Sequence, residues 1–126
     1  MVIDLSPAGL YELSPSLFMQ FAEPLGTADS SIDAAWDFQK NCWKNCGEEI
    51  LKELSPPMIR WGGCFASYYH WREGVGPQRV PMHNICWDGI YLNQVGTAEL
   101  AQLTRLLGAE LLLNVNFMSE GQPKWR

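Results

Sequence analysis

A predicted helix followed closely by an apolar strand occurs twice in this chain, and this repeat limits the possible folds. Apolar residues recur at helical spacing over 41–54 and 97–107, and strands are predicted at 58–61 and 111–117. Another strand is predicted at 17–23. The order strand, long loop, helix, strand, long loop, helix, strand repeats β-α units. It therefore predicts an α/β fold built on a parallel sheet.

Local signals set the boundaries of these elements. The first helix is expected to stop at Ser55-Pro56-Pro57, because the residue before a proline is pushed out of helical geometry. Thr97 is the predicted N-cap of the second helix, and Gly108 suits its C-terminal end. The last strand starts with three leucines, which is typical of a strand buried on both faces. Two further predictions are a short strand at Val2–Leu5 and an exposed loop at 27–38.

The connection from 62 to 96 is about 35 residues long and has little periodicity, which is uncommon in a compact domain unless the loop is functional. Gly62 and Gly63 allow the backbone to turn directly after the 58–61 strand. Aromatic side chains then crowd the loop: Phe65, Tyr68, Tyr69, His70 and Trp71. So many aromatic groups after one strand predict a binding surface held by the scaffold.

Composition excludes several classes of protein. The chain has 126 residues, 47% of them hydrophobic, which suffices for one domain with a core. The net charge is −5 and the nine Lys and Arg residues are scattered, so we expect no nucleic-acid partner. No apolar run reaches the roughly 18 residues of a membrane helix, and the first residues do not resemble a signal peptide.

The four cysteines, without an export signal, predict reduced thiols in a cytoplasmic protein. Cys42 and Cys46 are one helical turn apart, and Cys64 and Cys86 are isolated. This spacing does not match the short-gap pairs of zinc ribbons or fingers. We therefore expect buried or inert thiols, no metal and no cofactor.

Several short motifs occur in order and are spread over nearly the whole chain after Ser14: Phe21-Ala22-Glu23-Pro24-Leu25-Gly26, Trp61-Gly62-Gly63-Cys64, Trp71-Arg72-Glu73-Gly74-Val75-Gly76-Pro77, Asn93-Gln94-Val95-Gly96-Thr97 and Asn114-Val115-Asn116. As a set, they resemble the N-terminal part of glycoside hydrolase family 51, whose members are chiefly α-L-arabinofuranosidases. The resemblance implies a partial (β/α)8 TIM barrel, about its first three β/α units, over residues 15–126. Residues 1–14 would form a strand and linker that pair with a β-sandwich outside this chain.

The resemblance also implies an activity. Family members hydrolyse terminal non-reducing α-L-arabinofuranosyl residues of arabinan or arabinoxylan fragments with retention, using two carboxyl groups about 5 Å apart. Their two catalytic glutamates follow the fourth and seventh barrel strands, which would fall beyond Arg126. We therefore expect an N-terminal fragment that contains no catalytic residue. A noncatalytic carbohydrate-binding or structural remnant that needs a partner chain is the alternative, and a homo-oligomer stays open.

Five residues are implied to bind the arabinose-containing oligosaccharide or polysaccharide: Glu23, Arg60, Cys64, Trp87 and Asn116. Glu23 would accept hydrogen bonds from arabinose hydroxyls, with a solvated residue or an ion pair as the alternative. Arg60 would brace carboxylates in the pocket, or form a structural ion pair. Trp87 would line the substrate entrance, or pack under the long loop.

Two positions depart from the family pattern. The usual proline is absent from Trp61-Gly62-Gly63, and Tyr91-Leu92 stands where a Glu-Ser pair precedes Asn93. The second change removes a carboxylate beside the entrance, so the preferred arabinosyl substrate stays open.

Overall fold

The computed structural model of the chain describes residues 9, 11–23, 31–85 and 89–117. Its strands and helices are, in chain order, β1 Gln20–Ala22, β2 Trp36–Asp37, β3 Cys42–Trp43, α1 Asn45–Leu54, β4 Met58–Trp61, β5 Met82–Asn84, β6 Gly89–Tyr91, α2 Thr97–Leu107 and β7 Glu110–Leu113. Short 3-10 turns lie at Pro15–Phe18, Ser31–Ala35, Cys64–Ser67 and Trp71–Gly74. The strand predicted at Val2–Leu5 lies outside the described residues.

A three-stranded parallel sheet forms the centre of the fold, which confirms the predicted α/β class and the parallel pairing. Its strand order is β1-β4-β7, so β4 lies between the other two. Phe21 of β1 pairs with Arg60 of β4, and Arg60 pairs with Leu112 of β7. The strands therefore run side by side in register, and their carboxyl ends meet at one edge of the sheet.

The two faces of β4 differ because successive side chains of a strand point to opposite sides. Ile59 and Trp61 are 2% and 1% exposed and belong to the buried cluster that also contains Leu100 and Leu103 of α2. Arg60 lies on the other face. This face of the sheet is the more open one, since Phe21 is 51% exposed.

The first helix begins four residues later than the sequence pattern predicts. It runs from Asn45, and Cys42–Trp43 instead form β3, which pairs antiparallel with β2. Asn41 turns the chain with a φ of +53°, and the Trp36 and Trp43 rings meet edge to face at 4.9 Å. Burial of both indole rings outweighs the helical periodicity over 41–44. Part of the 27–38 segment is therefore buried, and the prediction of an exposed loop is wrong for that part.

The ends of the helices follow the predicted signals with one exception. Helix α1 stops at Leu54, and Ser55 takes a left-handed φ of +44° ahead of the two prolines. Gly108 ends α2 with a φ of +67°, as predicted. The N-cap of α2 is Gly96 and not Thr97, because the Glu99 carboxylate turns back and accepts the Gly96 N–H at 2.9 Å.

Both outer strands are shorter than predicted. In the 17–23 segment, Pro15–Phe18 form a 3-10 turn before β1, so only Gln20–Ala22 pair with β4. In the 111–117 segment, β7 ends at Leu113, and Leu112 and Leu113 are 40% and 43% exposed. The expectation that this strand is buried on both faces is wrong, because β7 is an edge strand of the sheet that the described residues form.

The long 62–96 connection contains a small antiparallel hairpin, β5 with β6, and is anchored to α2 by Arg79. The Arg79 guanidinium donates to both carboxylate oxygens of Glu99, at 2.7 and 2.8 Å. It also donates to the carbonyls of Gly76, Asn93 and Gln94, each at 3.0 Å. Burial raises the pKa of Glu99, but hydrogen bonds from Arg79 and Gly96 outweigh it and lower that pKa overall. This ion pair fixes the second half of the loop.

Of the predicted alternatives, buried or inert thiols, burial is wrong for the three cysteines that the structure describes. Cys42, Cys46 and Cys64 are free and exposed. Cys42 lies in the β2–β3 hairpin, Cys46 at the start of α1 and Cys64 in the turn after β4, so each occupies a surface position. Cys86 lies outside the described residues.

Candidate functional site

The carboxyl ends of β1, β4 and β7 bring polar side chains together at one edge of the sheet. The parallel ladder continues past the strands, since the Gly62 N–H donates to the Ala22 carbonyl at 3.2 Å and the Asn114 N–H to the Trp61 carbonyl at 3.1 Å. Glu23, Gly62 and Asn114 therefore follow their strands at the same level. This edge is the usual place of ligand sites in parallel α/β folds.

Glu23 is held in a defined position by the turn after β4. The side chain is 9% exposed. Its Oε1 accepts the Phe65 backbone N–H at 3.5 Å and the Cys64 thiol at 3.6 Å. These two long contacts hold the carboxyl group against the turn that follows β4.

Gly63 makes the space for this carboxyl group. A Cβ at position 63 would lie 2.5 Å from the Glu23 Cδ, well inside van der Waals contact. Gly62 has a second role, because its φ is +112° and a Cβ there would lie 2.8 Å from that of Asn114. The glycine pair therefore lets Glu23 and Asn114 approach the backbone after β4.

Arg60 lies on the open face of the sheet together with Phe21. Its guanidinium carbon is 4.9 Å from the centre of the Phe21 ring, and its Nε donates to Asn114 Oδ1 at 3.4 Å. The ring and the amide thus fix the guanidinium plane from two neighbouring strands. Since side chains alternate along a strand, Glu23 and Arg60 extend from the same face of the sheet.

Asn116 fastens the aromatic loop to the end of β7. Its Nδ2 donates to the Tyr69 carbonyl at 3.3 Å. The Phe65 and Tyr69 rings pack 4.7 Å apart under this loop, with Trp61 and Tyr91 beside them. The aromatic cluster therefore forms a rigid base for the site.

The five predicted site residues are only partly brought together. Glu23 contacts Cys64 directly, whereas Arg60 and Asn116 reach the same edge through Asn114 and Tyr69. Trp87 lies outside the described residues. The binding roles of all five residues stay predictions.

Three residues with a part in this geometry were not among the predicted site residues: Phe21, Gly63 and Asn114. The alternation along the strands could have identified two of them. Phe21 is two residues before Glu23, and Asn114 is two residues before Asn116.

The arrangement suits a neutral ligand with many hydroxyl groups. A carboxylate accepts hydrogen bonds from hydroxyls, while a guanidinium and an amide donate to hydroxyl oxygens. Among the residues that the structure describes, no cluster of three or more His, Cys, Asp and Glu side chains could hold a metal ion. In the same part of the chain, no helix has the length and apolarity to cross a membrane.

Comparison with known proteins finds similarity to α-L-arabinofuranosidases in both sequence and structure. An intracellular exo-α-L-arabinofuranosidase of Bacteroides ovatus is 45% identical over 125 residues, which cover 86% of this chain and 23% of that protein. The α-L-arabinofuranosidase C of Emericella nidulans is 34% identical, over 83% of this chain and 22% of its own length. The chain thus spans less than a quarter of the length of these relatives.

Two solved structures share the fold. The family 51 arabinofuranosidase of Xanthomonas axonopodis pv. citri superposes with a TM-score of 0.72 and 37% identity, over 82% of this chain and 22% of that one. The α-L-arabinofuranosidase of Thermotoga maritima, solved as an arabinose complex, gives a TM-score of 0.67 and 30% identity, over 79% and 22%.

The family comparison covers more than half of the chain. Residues 50–124 match the family described as the α-L-arabinofuranosidase 1 domain. Since the relatives are named α-L-arabinofuranosidases and the Xanthomonas structure is a family 51 arabinofuranosidase, the chain belongs to glycoside hydrolase family 51, whose N-terminal region it resembles.

Proposed function

We propose that this chain supplies part of the arabinofuranosyl-binding pocket of a retaining α-L-arabinofuranosidase. The substrate would be a terminal non-reducing α-L-arabinofuranosyl residue of an arabinan or arabinoxylan fragment. Glu23 would accept hydrogen bonds from the sugar hydroxyls, and Arg60 with Asn114 would shape the floor of the pocket.

One observation carries this proposal: the Glu23 carboxyl group lies over Gly63 at the carboxyl edge of the sheet, where a Cβ would displace it. A solvated surface residue would not require this clearance. The fit between Glu23 and the glycine turn favours a group that is held in place for a ligand.

The proposal extends to the architecture. We propose that β1, β4 and β7 are the first three strands of a (β/α)8 barrel over residues 15–126, with residues 1–14 as a strand and linker. The similarity to the Xanthomonas structure at a TM-score of 0.72 supports this placement. The open face of Phe21 and Arg60 would then face the barrel interior. A cytoplasmic location is part of the proposal, because the Bacteroides ovatus relative is described as intracellular.

Titration of the chain with L-arabinose, followed by calorimetry or NMR, tests the pocket. We expect Glu23→Gln to weaken binding by roughly tenfold or more, since a charge-assisted hydrogen bond contributes about 1.5–3 kcal/mol. Glu49→Gln on the exposed surface of α1 is the matched control and should leave binding unchanged. Equal affinity of Glu23→Gln and the unaltered chain would refute the pocket assignment.

Release of nitrophenol from p-nitrophenyl α-L-arabinofuranoside tests the catalytic part of the proposal. We expect no turnover by these 126 residues alone, because the resemblance places both catalytic glutamates after later barrel strands. Turnover by the 126-residue chain would show that the acid and the nucleophile lie within it.

A further inference from the structure

The side chain of Tyr91 is fixed at both of its ends. Its backbone belongs to the β5–β6 hairpin, and its hydroxyl donates to the carbonyl of Val95. Tyr91 is 3% exposed and Val95 is fully buried. Between them, the carbonyls of Asn93 and Gln94 each accept from the Arg79 guanidinium at 3.0 Å. The position of the Tyr91 ring therefore follows that of the hairpin.

Tyr91 packs on Phe65, which lies in the turn after β4. The two rings meet edge to face, with their centres 5.5 Å apart. The Phe65 ring also contacts Tyr69 at 4.7 Å and Trp61 at 6.0 Å. Those two rings lie within four residues of Phe65 in the sequence, whereas Tyr91 reaches it from the far end of the 62–96 connection. Tyr91 thus joins the turn to a separate segment of the fold.

The turn that carries Phe65 also contacts the Glu23 carboxyl group. The Phe65 N–H donates to Glu23 Oε1 at 3.5 Å, the long end of the range for such a hydrogen bond. A small outward shift of the turn would therefore remove this contact. The Phe65 ring and N–H belong to one residue, and that residue is 2% exposed. The rings packed around Phe65 consequently determine where its N–H lies.

We propose that Tyr91 is a positioning residue for Glu23, which acts through Phe65. The Tyr91 ring holds the Phe65 turn against the Glu23 carboxyl group and so sets its orientation toward the sugar hydroxyls. Because Tyr91 is buried, it does not contact the sugar itself. The inference rests on the proposed function and concerns this chain in particular, since Tyr91 stands where a glutamate is usual in the family pattern.

NMR spectra of the 126-residue chain test the position of Glu23 without a ligand. The readout is the change in the Phe65 amide N–H resonance that Glu23→Gln causes, since this change reports the carboxylate contact. We expect Glu23→Gln to shift the resonance clearly when Tyr91 is present. In a chain that also carries Tyr91→Leu, the same substitution should shift it by less than roughly half as much. Comparing these two differences cancels the direct effect of the Tyr91 ring on the resonance.

Affinity for L-arabinose is the second readout. We expect Tyr91→Leu to weaken binding roughly three- to tenfold, because the turn that holds Glu23 loses its packing partner. Tyr91→Phe keeps the ring and loses the hydroxyl, so affinity should stay within about twofold. Trp43→Leu is the matched control, since it also removes a buried ring from a hairpin, but that ring meets Trp36, at 4.9 Å. It should change neither readout.

Urea unfolding first establishes that each variant is folded under the conditions of the measurement, and Tyr91→Met replaces Tyr91→Leu if the latter does not fold. An undiminished effect of Glu23→Gln on the Phe65 resonance in Tyr91→Leu overturns the positioning role. Equal effects of Tyr91→Leu and Trp43→Leu on both readouts overturn it as well. Arabinose binding that is insensitive to Glu23→Gln overturns the proposed function instead, and the Phe65 resonance, measured without sugar, distinguishes the two failures.

Discussion

At the scale of single residues, Gly63 links the backbone to the chemistry of the site. In Gly63→Ala the new methyl group would occupy the place of the Glu23 carboxyl group. The residue precedes the 3-10 turn with a φ of 173°, which any residue adopts, so the backbone is not strained. We expect loss of arabinose affinity by roughly tenfold or more, with the thermal midpoint shifted by only a few degrees. Titration calorimetry and thermal melts of the same samples measure both, and unaltered affinity would contradict the role of Gly63.

Asp33 gives a prediction about pH. This carboxyl group is buried in the turn before β2, and burial raises its pKa from 3.8 to about 7. Between these values the folded state binds a proton that the unfolded state has lost. The free energy of unfolding should therefore fall as pH rises from about 4 to 7, by at most about 4 kcal/mol. Asp33→Asn should remove this decline and stabilise the chain above pH 7.

Asp37, in the β2–β3 hairpin that follows this turn, provides the control for Asp33. A backbone hydrogen bond from Lys40 is the main cause that lowers the pKa of Asp37. Its contribution to stability is present at neutral pH and is lost as pH falls, which is the opposite sign. Urea unfolding at several pH values should show that Asp37→Asn keeps the decline between pH 4 and 7. The same slope in Asp33→Asn and the unaltered chain would rule out Asp33 as its source.

Motif resemblance predicted Glu23 and Cys64, which are in contact, as site residues, but it did not identify Gly63 and Asn114. The contact of Glu23 with Gly63 and the Arg60–Asn114 hydrogen bond join separate strands. Such pairs depend on register, which the sequence pattern does not give residue by residue. Alternation along each strand would have placed Asn114 on the same face as Asn116.

At the scale of elements, the two helix ends predict opposite effects of glycine. Ser55 ends α1 in the left-handed region, where a Cβ costs about 1–2 kcal/mol, so Ser55→Gly should stabilise the chain by about 0.5–1 kcal/mol. Gly108 has the same conformation, and a Cβ there would meet no atom within 4 Å. Gly108→Ala should therefore cost about 1 kcal/mol through the backbone alone. Urea midpoints at constant m value measure both, and destabilisation by Ser55→Gly would contradict the argument.

The elements also show which sequence signals can be trusted. Proline and glycine signals predicted the ends of α1 and α2 because backbone sterics act locally. Periodicity failed at Cys42–Trp43, where the Trp36–Trp43 contact draws the chain into a hairpin. The continuous apolar run of the three leucines of β7 also misled, because their burial depends on the groups that pack against the sheet edge.

At the scale of the whole molecule, the described sheet has one covered face and two edge strands. Trp61 and the helix side chains fill one side, while Phe21 and Leu112 remain exposed on the other. Parallel sheets usually have both faces covered, and exposed edge strands pair readily with other chains. A homo-oligomer, which the sequence analysis kept as an alternative, would therefore form through β1 or β7.

We expect the purified chain to self-associate through β7, and Leu113→Lys to weaken that association roughly tenfold or more. The leucine is 43% exposed at the end of the edge strand, and a lysine there would oppose both apolar burial and strand pairing. Leu106→Lys is the matched control, because Leu106 is 46% exposed but lies on α2. Sedimentation velocity over a range of concentrations measures the effect. Equal weakening by both variants would point to general apolar attraction, and no weakening by Leu113→Lys would remove β7 from the interface.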